Sequence, residues 1–318
     1  MRRSVSLALL HCIVACTLAA LAAPAARAAT EWWVVAARLD SGDQLLIEFT
    51  LTDVGPGERN AAAIGHWIAK DGTQTPFQKA KLGSDWKPSP DGRRIDLGKF
   101  VFDRSAARAQ LRVEKKSVRI ALDFSLPAQP LATQKFGGGK WTQELWAGGA
   151  SVDASLWKPG LAQPLRTNGR VAVSRRRIEG PEAKLAARRL EAFSLANEPL
   201  YVVELAKGKS AERWVVALDA KGAVAGAEFT TSALQEKLSA VSPKLTLAGK
   251  VANGTLLAGK QLSSYDPLAE LPGLIRFALG LRLRSVWTAS PFDVSVRTGA
   301  RSQRRQGTAI ASYTFYAE

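Results

Sequence analysis

Sulfur-bearing side chains and histidine are almost missing from this chain of 318 residues, which has two Cys, one Met and two His. Four of these five side chains fall within the first 28 residues: Met1, His11, Cys12 and Cys16. From residue 29 onward there is no sulfur, which excludes disulfides, zinc–thiolate centres and a cysteine nucleophile from that part of the chain. Only His66 remains there, so a site built from several histidines is excluded too. We therefore expect no metal and no cofactor.

The first 28 residues have the features of a signal peptide. Arg2 and Arg3 form a basic start, residues 7–21 form an apolar run that is short for a membrane span, and an Ala-Arg-Ala run ends at Ala28. We expect export to the periplasm or outside the cell, with cleavage near Ala28. An uncleaved membrane anchor is one alternative, and a lipoprotein with its lipid on Cys16 is another.

Positive charge dominates the chain, with 44 Lys and Arg against 28 Asp and Glu. In a cytoplasmic protein this excess would suggest a nucleic-acid partner. An exported protein seldom meets nucleic acid, so we expect none and name an anionic membrane surface as a further partner. Charge that only keeps a large surface soluble is the alternative.

Short strands separated by turn residues recur along the whole chain. The opening stretch Glu31–Leu51 predicts two strands joined at Ser41-Gly42, and turn signals then follow every ten or so residues. This spacing predicts an all-β protein of antiparallel strands. The pattern occurs twice, over residues 29–165 and 166–318, and each half has the size of a small eight-stranded barrel.

Two segments depart from the strand pattern. Residues 182–195 favour a helix by composition, yet Leu190 and Ala192 also fit a strand. A short helix is predicted near residues 267–281, where Asp266 can cap its first turn. This helix could be a lid, a surface that rests on anionic lipid, or an element that packs against a barrel.

Three motifs in the first half carry a resemblance to a known family. They are Glu31-Trp32-Trp33 with its hairpin, the strand Ala62–Trp67 followed by Lys70-Asp71-Gly72, and Trp86–Gly92. In these the chain resembles the AttH-like family, which includes hydroxyneurosporene synthase, also called carotenoid 1,2-hydratase. The resemblance implies two tandem lipocalin-like (calycin) antiparallel β-barrels and an apolar ligand.

The chain also departs from the family pattern at two places. Val34 stands where the hydratases carry Tyr, and Arg175–Arg177 stands where their second Asp-Arg/His-Glu-Trp block is expected. The resemblance therefore extends further for the fold than for the hydratase activity.

Hydration of a carbon–carbon double bond needs a desolvated acid beside aromatic faces that stabilise a cation. Glu31 beside Trp32 and Trp33 is the best such group, so we name Glu31 and His66 as catalytic candidates and Trp32, Trp33 and Trp67 as ligand-binding candidates. The alternative readings are structural. Glu31 would then pair with an arginine at a barrel rim, the tryptophans would plug the barrel, and His66 would be a satisfied core residue.

Three functions follow from these observations. The first is a non-catalytic carrier or sensor of a long apolar molecule such as a lipid, polyisoprenoid or carotenoid. The second is an enzyme that hydrates, isomerises or cyclises such a molecule, and the third is an interaction module without a ligand. A carrier should contain an open apolar cavity, an enzyme a buried carboxyl that faces a cavity, and an interaction module no cavity but an exposed apolar patch.

Overall fold

A computed structural model describes residues 29–53, 60–81, 86, 89–180, 182–195, 199–219, 222–226, 229–231, 245–249, 252–257, 263–265, 283–298 and 301–316. The predicted signal peptide, the cysteines and the predicted helix near 267–281 lie outside these residues. Within them the chain is almost entirely β-structure, as the strand and turn pattern predicts.

The strands of the first 180 residues form one antiparallel sheet in which the first strand lies beside the last. Their bounds are β1 (Ala29–Leu39), β2 (Gln44–Thr52), β3 (Asn60–Ile68), β4 (Gln74–Lys81), β5 (Arg94–Asp96), β6 (Phe100–Asp103), β7 (Arg108–Lys115), β8 (Val118–Ser125), β9 (Ala132–Phe136), β10 (Trp141–Trp157) and β11 (Leu165–Glu179). Ten of them pair in the order β4-β3-β2-β1-β11-β10-β8-β7-β6-β5. A 3₁₀ turn at Gly137–Gly139 precedes β10.

The rest of the chain repeats this arrangement. A one-turn helix, α1 (Glu182–Leu185), precedes the strands β12 (Arg188–Ser194), β13 (Leu200–Lys207), β14 (Ser210–Asp219), β15 (Gly222–Gly226), β16 (Phe229–Thr231), β17 (Leu245–Gly249), β18 (Ala252–Leu257), β19 (Ser263–Tyr265), β20 (Leu283–Thr298) and β21 (Arg301–Tyr316). Their order is β15-β14-β13-β12-β21-β20-β18-β17-β16, with β19 beside β20. In each sheet the first strand pairs with the second and with the last, so the tandem barrel-type fold is confirmed.

The chain divides into two compact units. One comprises residues 1–130 and 137–182, and the other comprises residues 131–136 and 183–318. Strand β11 belongs to the first unit, whereas the sequence pattern placed the domain boundary at its first residue. The long antiparallel pairing of β11 with both β1 and β10 explains this assignment.

The opening hairpin forms as predicted. Leu39 N–H donates to Asp43 O and Gly42 N–H donates to Leu39 O, both at 2.9 Å, which closes a tight turn. Gly42 adopts a φ of +93°, which non-glycine residues rarely adopt, so the turn depends on this glycine.

The core of the first unit, called here the first barrel, lies on one face of its curled sheet. Because side chains alternate along a strand, Trp33, Val35 and Ala37 of β1 enter this core, whereas Val34 and Ala36 point to the other face. The core is filled by large side chains, among them Trp33, Phe49, Phe102 and Phe124. The interior of the first barrel is thus largely packed with side chains. No helix in the described part of the chain is long and apolar enough to cross a membrane.

Candidate functional site

A cavity of about 480 Å³ opens at the end of the first barrel where β1 begins. We call this the open end, and the end with the Ser41-Gly42 turn the turn end. The cavity is lined by Ala29, Thr30, Glu31, Leu51, Thr52, Asp53, Trp86, Ser89, Pro90, Asp91, Gly92, Arg93, Ile95, Arg104, Arg175 and Arg177. Its volume falls within the range of small-molecule sites.

Glu31 is held in place by two neighbours on the inner face of the sheet. Residues i and i+2 of a strand share a face, so the indole of Trp33 reaches back and its Nε1–H donates to Glu31 Oε1 at 2.5 Å. Arg175 of the adjacent strand β11 donates from Nε and Nη2 to the two carboxylate oxygens, at 2.9 Å each. A paired Arg–carboxylate bond of this kind is among the strongest polar contacts in proteins.

These contacts determine the charge of Glu31. Burial alone raises the pKa of the carboxyl, but the hydrogen bonds and charge of Arg175, the Trp33 bond and the charge of Arg104 outweigh it, so the pKa is lowered. Glu31 is therefore ionised at neutral pH. In this arrangement it can accept a proton or stabilise a cation, but it cannot donate a proton to carbon.

Arg104 is the second cation of the site. Its guanidinium lies over the Trp33 ring at 3.8 Å from the ring centroid, while that of Arg175 lies at 5.1 Å. Arg104 Nη2 donates to Gly92 O at 2.7 Å, and its buried Nε has no partner. Burial, opposed by the charge of Glu31, lowers the pKa of Arg104 to about 10.

A second glutamate lies beneath Arg175. Glu144 of β10 pairs in register with Arg175, its Oε2 lies 3.6 Å from Arg175 Nη1, and Arg177 Nη2 donates to its Oε1 at 3.4 Å. Trp146 Nε1–H donates to Glu144 Oε2 at 2.8 Å, and the Trp146 ring lies 5.4 Å from that of Trp33. The site therefore contains two Glu-x-Trp pairs on either side of one arginine.

Trp67 lies on the same inner face but at the turn end. Its Nε1–H donates to Asp43 Oδ1 at 2.8 Å, and Lys158 Nζ lies 5.1 Å from the ring centroid. Because Trp67 pairs with Leu45, which pairs with Ala37, it lies two inward-facing positions from Trp33 along the barrel wall. The structure thus does not bring Trp67 to the cavity.

Trp32 and His66 lie on the outer face. Each is the chain neighbour of an inward-facing tryptophan, so alternation directs it away from the core. The Arg176 guanidinium lies 4.5 Å from the centroid of the Trp32 ring. Burial lowers the pKa of His66 to about 4, against a hydrogen bond with Gln74 that raises it. Of the five predicted residues, only Glu31 lines the cavity, and Trp33 reaches it only through its hydrogen bond with Glu31.

Sequence reasoning missed Arg104 and Glu144, and it noted Arg175 only as a departure from the family. The repeated Glu-x-Trp spacing was a usable signal for Glu144, since i and i+2 side chains share a strand face. Arg104 has no comparable signal, because its approach to Trp33 depends on how the sheet curls. The described residues contain no group of three His, Cys, Asp or Glu side chains placed to hold a metal ion.

A separate polar cluster lies buried in the second unit. Tyr201 O–H donates to Glu191 Oε1 at 2.7 Å, and Arg189 donates to Glu191 Oε2 at 3.4 Å and to Thr314 Oγ1 at 2.8 Å. These bonds join the four side chains to one another within the second sheet.

No family model and no curated protein sequence matches this chain. Its fold, in contrast, matches solved structures over nearly the whole length. A protein from Nitrosomonas europaea assigned to AttH, NE1406, is 13% identical with a TM-score of 0.62, and the match covers 92% of this chain and 93% of that one. The chain has the fold of the AttH-like proteins.

Two further structures share this fold. Kievitone hydratase from Nectria haematococca is 11% identical with a TM-score of 0.55, covering 91% of this chain and 89% of that one. CghA in complex with Sch210972 is also 11% identical, with a TM-score of 0.57 and the same two coverages. At such identities the likeness concerns the fold, which is related to that of hydratase enzymes, and not the chemistry of the site.

Proposed function

We propose that the protein is an exported carrier or sensor that binds an apolar small molecule, and that the cavity at the open end of the first barrel is its binding site. The cavity itself supports this proposal most directly. Leu51, Trp86 and Ile95 offer apolar contacts, while Arg104 and Glu31 offer polar ones. Polar and charged side chains make up the larger part of the wall, so the cavity suits a molecule that joins an apolar part to a polar end.

The packed interior refines the proposal. Large side chains fill the barrel beyond Trp33, so the site suits one end of a long lipid, polyisoprenoid or carotenoid better than its full length. The proposed export rests on the basic start, apolar run and cleavage pattern of the first 28 residues. An anionic membrane surface as a further partner rests on the excess of Lys and Arg.

The first experiment identifies what the protein carries. The full chain is expressed with its own leader in a bacterial host and purified from the periplasm without detergent. Solvent extraction followed by absorbance and mass spectrometry should reveal an apolar molecule at close to one per protein. A protein that is purified without a bound molecule and that also binds none of a panel of apolar dyes would overturn the proposal.

A pair of variants tests the location of the site. Leu51→Trp adds an indole to the cavity wall and should weaken binding of the extracted molecule at least about tenfold, since overfilled sites tolerate extra volume poorly. Leu165→Trp adds the same group at an exposed position outside the cavity and should bind as the original does. Equal affinity in both variants would place the site elsewhere.

An enzyme is the second candidate, because a partly buried carboxylate, Glu31, faces the cavity. Since its lowered pKa keeps it ionised, Glu31 would act as a base or stabilise a cation. Incubating the protein with the extracted molecule tests this candidate. Hydration would add the mass of one water, isomerisation or cyclisation would change retention at constant mass, and Glu31→Gln should abolish either change.

A further inference from the structure

Arg104 differs from the other arginines at the centre of the site. Arg175 binds Glu31 and Glu144, and Arg177 binds Glu144. Arg104 lines the same cavity, yet no carboxylate oxygen of the described residues lies within 4.0 Å of it. Its side chain donates a hydrogen bond to the neutral carbonyl of Gly92. Arg104 is thus a partly buried cation without a bonded counter-charge.

Such a cation is costly unless an anion approaches it. The Trp33 ring covers one face of the guanidinium and partly offsets this cost, and the lowered pKa of Arg104 agrees with incomplete compensation. Stacking leaves the edge of a guanidinium, where its N–H groups point, for polar partners. With Nη2 committed to Gly92, Nη1 is the donor that can face the cavity.

Among the described residues, the anion whose charge acts most strongly on Arg104 is not free to fill this position. Glu31 influences Arg104 through its charge, but both its carboxylate oxygens bind Arg175 and one also accepts from Trp33. Asp91 likewise acts on Arg104 only through its charge, since its carboxylate binds Ser89 Oγ and Arg93 N–H. An anion from outside would therefore complete the site.

We propose that the cavity binds a carboxylate-bearing apolar molecule, with the carboxylate on Arg104 and the apolar chain along Leu51, Trp86 and Ile95. This inference rests on the proposed function and specifies its ligand class. A single guanidinium without a bonded counter-charge matches a monoanion, and Nη1 can donate a charge-assisted hydrogen bond to a carboxylate oxygen. A phosphate monoester carries close to two charges, more than the partly buried Arg104 alone would balance, and Arg93, which also lines the cavity, is exposed to solvent.

Three ligands of equal chain length test the head group on the purified full chain. Dodecanoate, dodecanol and dodecyl phosphate are compared by titration calorimetry at pH 7.5, below the concentrations at which they form micelles. Dodecanoate should bind about ten- to a hundredfold more tightly than dodecanol, as expected for a charge-assisted hydrogen bond in a partly buried site. It should also bind more tightly than dodecyl phosphate.

Variants then assign the preference to one residue. Arg104→Gln should lower the affinity for dodecanoate to that for dodecanol, while Arg104→Lys should keep part of the difference because the charge remains. Arg112→Gln removes an exposed arginine outside the cavity and should leave the preference unchanged. Preference retained in Arg104→Gln would assign the anion to another cation and overturn the inference.

The native protein alone also decides the matter if Arg104→Gln fails to fold. Equal affinity for dodecanoate and dodecanol would overturn the carboxylate inference and leave the proposed apolar site intact. Tighter binding of dodecyl phosphate would replace the carboxylate by a phosphate ligand. Binding of none of the three would count against the inference, and an empty periplasmic preparation would remove the proposed function with it.

Discussion

The two ends of the first barrel are built from the same parts, but among the described residues a cavity opens beside only one of the two tryptophan groups. At the open end, Trp33 donates to Glu31 and lies under the guanidinium of Arg104. At the turn end, Trp67 donates to Asp43 and lies near the ammonium group of Lys158. Both indoles are almost completely buried in one core.

The two groups, each an acid, a tryptophan and a cation, differ in their surroundings. Asp43 also accepts from Ser41 Oγ at 2.5 Å, within the tight turn that closes that end. Glu31 instead shares its charge with Arg175, and Arg104 is left facing a cavity. A buried tryptophan that donates a hydrogen bond to an acidic side chain thus occurs at both ends of this barrel. What distinguishes the open end is the cavity that Arg104 lines, where we place the proposed binding site.

The largest expected effect concerns the two tryptophans. Trp33→Ala and Trp67→Ala should each lower the free energy of unfolding by about 3–5 kcal/mol, because each removes a large side chain from a packed core. Urea unfolding measures both changes. Only Trp33→Ala should also weaken binding of dodecanoate, since Arg104 loses the ring on which it is stacked. Equal loss of binding in both variants would mean that the two ends do not differ in function.

The next largest effect concerns His66 on the outer face of the sheet, which should change stability with pH but not ligand binding. The pKa of His66 is about 4 in the folded state and 6.5 in the unfolded chain. Between pH 6.5 and pH 4, His66 is therefore protonated in the unfolded state and neutral in the folded state. Stability should therefore fall as the pH is lowered from 6.5 to 4, by up to about 3 kcal/mol from this residue.

His66→Gln isolates this contribution. Urea unfolding at pH 7, 5.5 and 4.5 should show a steeper loss for the native protein than for the variant, while dodecanoate binding at pH 7.5 stays the same in both. A variant that follows the native pH profile would show that another group titrates. Lost binding would show that His66 acts on the open end.

The fold was predictable because its signals are local. Gly42 and the alternating residues on either side of it define the opening hairpin, and the same rhythm returns in the second half. Residues 182–195 were ambiguous because helix composition and strand alternation coexist there. The structure has a single helical turn at Glu182–Leu185 and then β12, whose Leu190 and Ala192 pack on one face.

The site was predictable only in part. Glu31 and Trp33 share a strand face, so their contact follows from spacing alone, and the same rule directs Trp32 and His66 to the opposite face. Arg104 reaches Trp33 across the barrel, and that contact depends on register and curvature over several strands. Neither quantity can be read from a single sequence. The residue that gives the cavity its proposed specificity was therefore invisible before the structure.

The smallest expected effect is the loss of stability when Asp43 or Glu31 is replaced by its amide. Asp43→Asn keeps an oxygen that can accept the Trp67 N–H, so it should cost about 0.5–1.5 kcal/mol, as for a typical hydrogen bond. Glu31→Gln keeps an acceptor for Trp33 but removes the charge that binds Arg175. It should cost slightly more, about 1–2 kcal/mol, since the pair is about one-quarter exposed to solvent. Urea unfolding at pH 7 measures both.

The stability of the Glu31→Gln variant relative to the native protein should also depend on pH. Because the pKa of Glu31 is lowered in the folded state, its contribution is complete above the unfolded value of 4.5 and is lost as the pH falls through the folded value. The gap in stability between the native protein and Glu31→Gln should therefore narrow below pH 4.5. A gap that stays constant down to pH 3 would mean that the Arg175 pair adds nothing to stability. The open end would then be held by the packing of Trp33 alone, and Arg175 would be as available to an anionic ligand as Arg104.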